Sequence, residues 1–298
     1  MESRMIIPLE RAYPDCLKML RNPPGQLYVR GRLPDPEKPA VAIVGARNCT
    51  FYGSDMAKWF AFELAKAGVQ IISGMAMGVD GIAQRAALDA GGRSFALLGC
   101  GADICYPKSN RDLYERLLIS GGVISEYPDG MQPISRLFPS RNRLIAGFSR
   151  AVIVVEAREK SGTLITADAA LEQGKDVFVL PGRITDALSA GCNRLLAQGA
   201  GIALSPQMIL EALHIAPKQK HPAADIPSRI DESVLKCLTD DELSIWKKLS
   251  DRPLSLQELY DKAMENGEKC TLPNVLAIVM TLVEKSVIRT DGDGRYYI

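Results

Sequence analysis

The chain has 298 residues, 36 Lys and Arg against 35 Asp and Glu, and a formal net charge of +1, so bulk charge argues neither for nor against a nucleic-acid partner. Its apolar runs are far shorter than the about 20 residues a membrane helix needs, and Glu2, Arg4, Glu10 and Arg11 interrupt any leader-like stretch at the N-terminus. A cytoplasmic protein with no membrane contact is expected, with one large domain or one large and one small.

Residues 1–38 carry the turn signals Tyr13-Pro14 and Pro23-Pro24-Gly25, and Gln26–Gly31 looks like a short strand. They are expected to form an arm packed on the main domain. From 39 to 215 the pattern is strand, glycine turn, helix, repeated. Apolar, strand-like runs fall at Val41–Gly45, Val69–Ser73, Ser94–Leu98, Gly122–Ser125, Ala151–Glu156, Val177–Pro181 and Ile202–Leu204. Helical patterns fall at Tyr52–Ala67, Val79–Ala90, Asn110–Ser120, Arg141–Phe148, Thr163–Gln173 and Asn193–Gln198. Such strands, alternating with amphipathic helices, predict an α/β fold with a doubly wound, mostly parallel sheet covered on both faces.

The Pro-, Lys- and Gln-rich text of 216–230 predicts a linker. Residues 231–298 read as three helices and a hairpin: Glu242–Leu249, then Ser255–Met264 with a Ser255/Glu258 capping box, then Leu272–Lys285. The hairpin strands are Arg289-Thr290 and Arg295–Tyr297, around the turn Asp291–Gly294. That order is a winged helix. From Asp231 onward 9 Lys or Arg face 13 Asp or Glu, a net of −4. Such a charge makes a poor phosphate binder and favours protein contacts over DNA.

The candidate chemistry lies at the glycine turns. Val41–Val44 ends at Gly45, and Arg47 stands in the turn before a helix, an arrangement in which amide N–H groups and the helix dipole face an anion. Ser73–Asp80, with Gly74 and Gly78, opens the next helix, and Lys160-Ser161-Gly162-Thr163 opens a later one. In such sheets the turns share one edge, so together they predict a broad anion-binding rim. Between Ser135 and Arg143, Arg136, Arg141 and Arg143 flank Phe138 with no acid among them, and Asn142 lies inside the run. A basic groove with an aromatic holds single strands without sequence preference. Lys175, Arg183 and Arg194 are further basic candidates for the rim.

No turn matches Gly-x-Gly-x-x-Gly or Gly-x-x-x-x-Gly-Lys-Ser/Thr, which disfavours redox cofactors and ATP hydrolysis. The seven cysteines include no Cys-x-x-Cys pair and read as free thiols, and the two histidines belong to no cluster. No metal or cofactor is expected. Asp80 and Glu156 stand at positions suited to catalytic carboxylates; a helix-capping role for Asp80 and an ion pair between Glu156 and a rim arginine are the favoured readings.

These motifs resemble the DprA (Smf) family of bacterial DNA-processing proteins. The resemblance is carried by Leu27–Gly31, Val44–Arg47, Ser73–Asp80, Gly101–Asp103 with Tyr106-Pro107, Phe138–Arg143, Val155–Ala157, Ser161–Thr166, Glu172–Gly174 and Pro181-Gly182. It implies an extended Rossmann-like domain that binds single-stranded DNA, forms homodimers and loads a RecA-type recombinase during natural transformation, without catalysis. It also implies a DNA pocket built on Arg47, Arg141, Arg143 and Phe138, with Arg136 nearby. Where the family has Gly-Ser-Arg, this chain has Gly45-Ala46-Arg47, and Gln84 and Cys192 are further departures. The alternative is a nucleotide-hydrolysing enzyme of the related lysine decarboxylase-like phosphoribohydrolases. Their Pro-Gly-Gly-x-Gly-Thr signature is reduced here to Ser161-Gly162-Thr163.

Overall fold

The computed structural model describes residues 3–215, 238–249, 253–265, 270–285, 287–290 and 294–297. The chain divides into two compact units, Met1–Ala224 and Asp225–Ile298. The stretch 216–230 read as a linker lies outside the described residues.

In the first unit the apolar runs pair into a nine-stranded sheet of order β1-β2-β6-β5-β4-β3-β7-β8-β9. Its centre is parallel: β3 (Ala40–Val44), β4 (Gln70–Ser73), β5 (Ser94–Leu98) and β6 (Gly121–Ser125) run to one side. β7 (Ala151–Val154), β8 (Asp176–Val179) and β9 (Gly201–Ile202) run to the other. Strand order therefore reverses between β3 and β7, where ligand crevices form in doubly wound sheets. β1 (Arg4–Ile6) and β2 (Leu27–Gly31) add an antiparallel edge, so the arm is built into the sheet as well as packed against it.

All five residues of β3 are buried, because both faces are covered. Ala42 and Val44 enter one core layer, Val41 and Ile43 the other, as period-2 alternation requires. The first layer is completed by residues of α5 (Leu137–Gly147), α6 (Gly162–Glu172) and α7 (Ala190–Ala197). The second takes residues of α2 (Phe51–Lys66), α3 (Val79–Asp89) and α8 (Pro206–Ala212). A smaller cluster forms around Leu113, Tyr114 and Leu117 of α4 (Arg111–Ser120).

One helix boundary differs from the sequence reading in a way that matters. The expected helix Arg141–Phe148 begins four residues earlier, at Leu137. Pro139 does not block it, because proline in the first turn removes only an N–H that lacks an intrahelical partner anyway. Phe138, Arg141 and Arg143 thus share one helix, and Arg136 stands just before it.

The second unit has helices Asp240–Lys248, Leu256–Glu265 and Leu272–Glu284, and a three-stranded antiparallel sheet of Leu254–Ser255, Arg295–Tyr297 and Arg289–Thr290. Ser255 and Glu258 cap reciprocally, each backbone N–H donating to the other's side chain. Thr239 and Glu242 do the same at the first helix. Ile245, Leu259, Val275, Val279 and Leu282 form the unit's core. Of the expected hairpin turn, residues 291–293 lie outside the described residues. No helix among the described residues is long and apolar enough to cross a membrane.

Candidate nucleic-acid interface

At the carboxyl ends of β3 and β7 lies an open cavity of about 590 Å³. The first turn forms one wall, with Gly45, Ala46 and Arg47. The start of α6 forms another, with Ser161, Gly162 and Thr163. The first turn is tied to two helix starts: Thr163 Oγ1 of α6 donates to the Gly45 carbonyl at 3.0 Å, and the Val79 N–H of α3 donates to the Ala46 carbonyl at 3.2 Å. Gly78 allows this closeness. Its φ is +70°, and a Cβ there would lie 2.3 Å from the carbonyl oxygens of Ala46 and Arg47.

The third wall is α5, and its helical period sorts the basic residues. Phe138, Arg141, Asn142 and Ile145, at i, i+3, i+4 and i+7, share the face that lines the cavity. Arg143 is two residues from Arg141, about 200° around the helix. It points away and forms a two-bonded ion pair with Glu126, at 2.6 Å for each contact. Arg136 precedes the helix, is exposed and is not on the cavity wall. The expected stripe of three arginines is therefore divided, because α-helical geometry cannot present all three on one side.

Arg141 is on the wall but is not a free surface arginine. It is only 6% exposed, and its Nη1 donates to the carbonyls of Gly74 (3.0 Å) and Leu97. Across Gly74 sits Asp80, which accepts the Gly74 N–H at 3.0 Å. A Cβ on Gly74 would be 2.7 Å from both Arg141 terminal nitrogens and from Asp80 Oδ2, so glycine is what lets the two charges face each other. Burial lowers the Arg141 pKa to about 10, with Asp80 holding it up; burial likewise raises the Asp80 carboxyl, with Arg141 and the Gly74 N–H opposing. Arg141 Nε, also buried, has no hydrogen-bond partner among the described residues. Gly74 and Gly78, expected at the rim, thus shape it from beneath rather than lining it.

Two further expectations are corrected. Lys175 lies at the amino end of β8, the opposite end of the sheet from the cavity. Its Nζ donates to the carbonyls of Ala146 (2.5 Å) and Gly147 (2.8 Å), closing the C-terminus of α5. Among the described residues Glu156 forms no ion pair with a rim arginine. It accepts the Thr50 N–H at 2.8 Å and the Thr50 hydroxyl, holding the N-cap of α2. Burial raises its carboxyl above the ordinary value.

Arg47 is exposed, and its guanidinium lies 6.0 Å from the centroid of the Phe138 ring, a cation–π arrangement that pre-positions the charge. Among the described residues no carboxylate pairs with it. Arg158 and Lys160 are both exposed on the same cavity; the sequence reading names Lys160 only as the start of the Lys160–Thr163 turn and does not name Arg158. Their signal was the strand end before the Ser161-Gly162-Thr163 turn, which places any basic residue there beside the first turn. The cavity therefore gathers Arg47, Arg158 and Lys160 around the N-terminus of α6, with Arg141 in its wall and Asp80 as its acid.

This geometry accompanies a family match. The model for DNA recombination-mediator protein A matches residues 4–214. The chain belongs to that family. Protein Smf of Synechocystis is 42% identical over 218 residues, 72% of this chain and 55% of the Synechocystis protein. DNA processing protein DprA of Streptococcus pneumoniae is 42% identical over 202 residues, 68% of this chain and 71% of its own. The alignment thus spans little more than half of the Synechocystis protein. The X-ray structure of DNA processing protein A from Streptococcus pneumoniae has a TM-score of 0.66 at 39% identity, covering 70% of this chain and 74% of that one. A structure concerned with the single-stranded DNA binding mode of DNA processing protein A from Helicobacter pylori has a TM-score of 0.63 at 34% identity, covering 72% and 98%. The family match ends within the first unit, which carries the cavity.

Proposed function

We propose that this recombination-mediator family member binds single-stranded DNA in the cavity between the first turn, α5 and α6. In this reading it protects incoming strands and loads a RecA-type recombinase during natural transformation, as a cytoplasmic homodimer and without a catalytic step. The observation that carries the reading is the cluster of Arg47, Arg158 and Lys160 around one helix N-terminus, with Arg47 set over the Phe138 ring. Exposed cations at the positive end of a helix dipole suit a phosphodiester strand, and the Helicobacter relative supports the choice of a single strand. Arg141 belongs to the same site as a wall group with one unmet N–H. Arg143, on the other side of α5, is assigned to the ion pair with Glu126. The second unit, with its net charge of −4 from Asp231 onward, is assigned to protein contacts.

The acids fit binding better than catalysis. Asp80 is committed to Gly74 and faces Arg141, and Glu156 is committed to Thr50. Release of free base from nucleoside monophosphates is therefore not expected. The deciding experiment is a salt series of fluorescence-polarisation titrations with oligo-dT and with duplex of equal length. Oligo-dT should bind more tightly, and Arg47→Ala should reduce the log–log salt slope by about 0.7, one single-strand counterion equivalent. Absence of oligo-dT binding at low salt, or an Arg47→Ala slope equal to that of the parent, would overturn the reading.

A further inference from the structure

Two aromatic rings stand at this cavity, and the structure gives them different tasks. Phe138 is half-buried and engaged on several sides. A Cβ on Gly99 would lie 2.9 Å from its ring, so the ring rests on bare backbone there. Arg47 lies 6.0 Å from its centroid, and the Tyr106 ring lies 5.5 Å from it at an interplanar angle of 33°. Little of Phe138 is left for another planar group. Tyr106 is 40% exposed, lines the same cavity, and its hydroxyl has no hydrogen-bond partner among the described residues.

The loop that carries Tyr106 is fixed from both sides. Downstream, Asn110 Nδ2 donates to the carbonyls of Met75 (3.0 Å) and Ala76 (3.2 Å), beneath the second glycine turn. Upstream, Asp103 accepts the Gly130 N–H at 2.9 Å, and the Tyr114 hydroxyl donates to the Ala102 carbonyl at 2.7 Å. The ring is thus an exposed large aromatic on an anchored loop, one ring's width from the Arg47–Phe138 pair.

From this placement, and resting on the single-strand reading above, we infer that Tyr106 is the base-stacking residue of the site. Phe138 is then the support that holds Tyr106 and Arg47 at a nucleotide's spacing. A nucleotide whose phosphate is gripped by Arg47 lays its base on the free face of Tyr106. A base inside a duplex is already stacked on both faces and cannot do this without leaving the helix, so the same contact supplies selectivity for single strands. Because every base has a π-face, the contact is tolerant of sequence.

The test uses the full chain and two probes: oligo-dT, and an abasic strand of equal length with tetrahydrofuran in place of each nucleoside. Stacking on one aromatic ring is worth about tenfold in affinity. Tyr106→Ala should weaken oligo-dT binding by about that factor, leave the salt slope unchanged, and leave the abasic strand unaffected. Tyr106→Phe should bind oligo-dT like the parent. Arg47→Ala should weaken both probes and reduce the slope. Equal binding of oligo-dT by Tyr106→Ala and the parent, with Arg47→Ala still impaired, overturns the stacking assignment alone. An equal loss on both probes from Tyr106→Ala also overturns it, by making the residue structural. Failure of the parent to bind either probe overturns the single-strand reading itself.

Discussion

Replacing Asp80 with Asn asks whether Arg141 is a structural charge. The carboxylate and the guanidinium face each other across Gly74 inside the protein, and Arg141 is only 6% exposed. The amide keeps the shape and one oxygen for the Gly74 N–H, so the change removes the charge together with the acceptor that the second oxygen offers to the Ala76 N–H and the Ser73 side chain. An uncompensated buried charge costs about 3–5 kcal/mol. Arg141 keeps its bonds to the Gly74 and Leu97 carbonyls and does not touch Asp80 directly, so the cost should fall at the lower end, about 3 kcal/mol. For a unit of this size that lowers the thermal midpoint by about 6–12 °C. The assay is urea unfolding of the full chain, following the first unit's transition. Combining Asp80→Asn with Arg141→Met should recover most of the loss, since apolar replacement of both buried charges is often near neutral. A cost below about 1 kcal/mol for Asp80→Asn, or a double variant as unstable as the sum of the singles, would refute this account of the pair.

Two further changes test the corrected assignments. Burial raises the Glu156 carboxyl above 4.5 despite the bonds from Thr50, so between 4.5 and the raised value the folded state binds more protons there than the unfolded chain. Its contribution is least favourable above the raised value and improves as pH falls through it. Glu156→Gln, which retains an acceptor for Thr50, should therefore match or exceed the parent in urea midpoint at pH 8 and lose any advantage near pH 4.5; lower stability at pH 8 would contradict this. Lys175→Met should cost about 1–2 kcal/mol through the lost bonds to the C-terminus of α5, while oligo-dT affinity stays within about twofold of the parent. A larger affinity loss would return Lys175 to the proposed DNA site.

The sheet was legible because its information is local. Runs such as Val41–Val44 and Ala151–Val154 are apolar at every position, and only a strand covered on both faces uses such text. Capping pairs such as Ser255 with Glu258 are equally local, needing residues three apart and nothing else. The Arg47 turn was legible for the same reason, since a strand, a glycine and a helix start lie within a dozen residues. Tyr106 and Arg158 were missed as site residues, and Lys160 was named only as part of a turn, because the Tyr106 loop and the 155–161 loop are far apart in the chain and their meeting depends on strand order.

By itself, the amino-acid sequence determined the α/β class, the parallel core, the first glycine turn and the arginine that occupies it. These follow from periodicity and turn chemistry, which act over a few residues. Tertiary structure alone decided which cations share the cavity. It set Arg143 against Glu126 and Arg141 against Gly74, because a helix presents residues two apart on opposite sides. It sent Lys175 to the far end of the sheet, since a basic residue before a parallel strand and one after its neighbour lie a strand's length apart. It brought Tyr106 beside Phe138 and Arg47, because only the folded sheet sets the ends of β3 and β5 and the start of α5 around one opening.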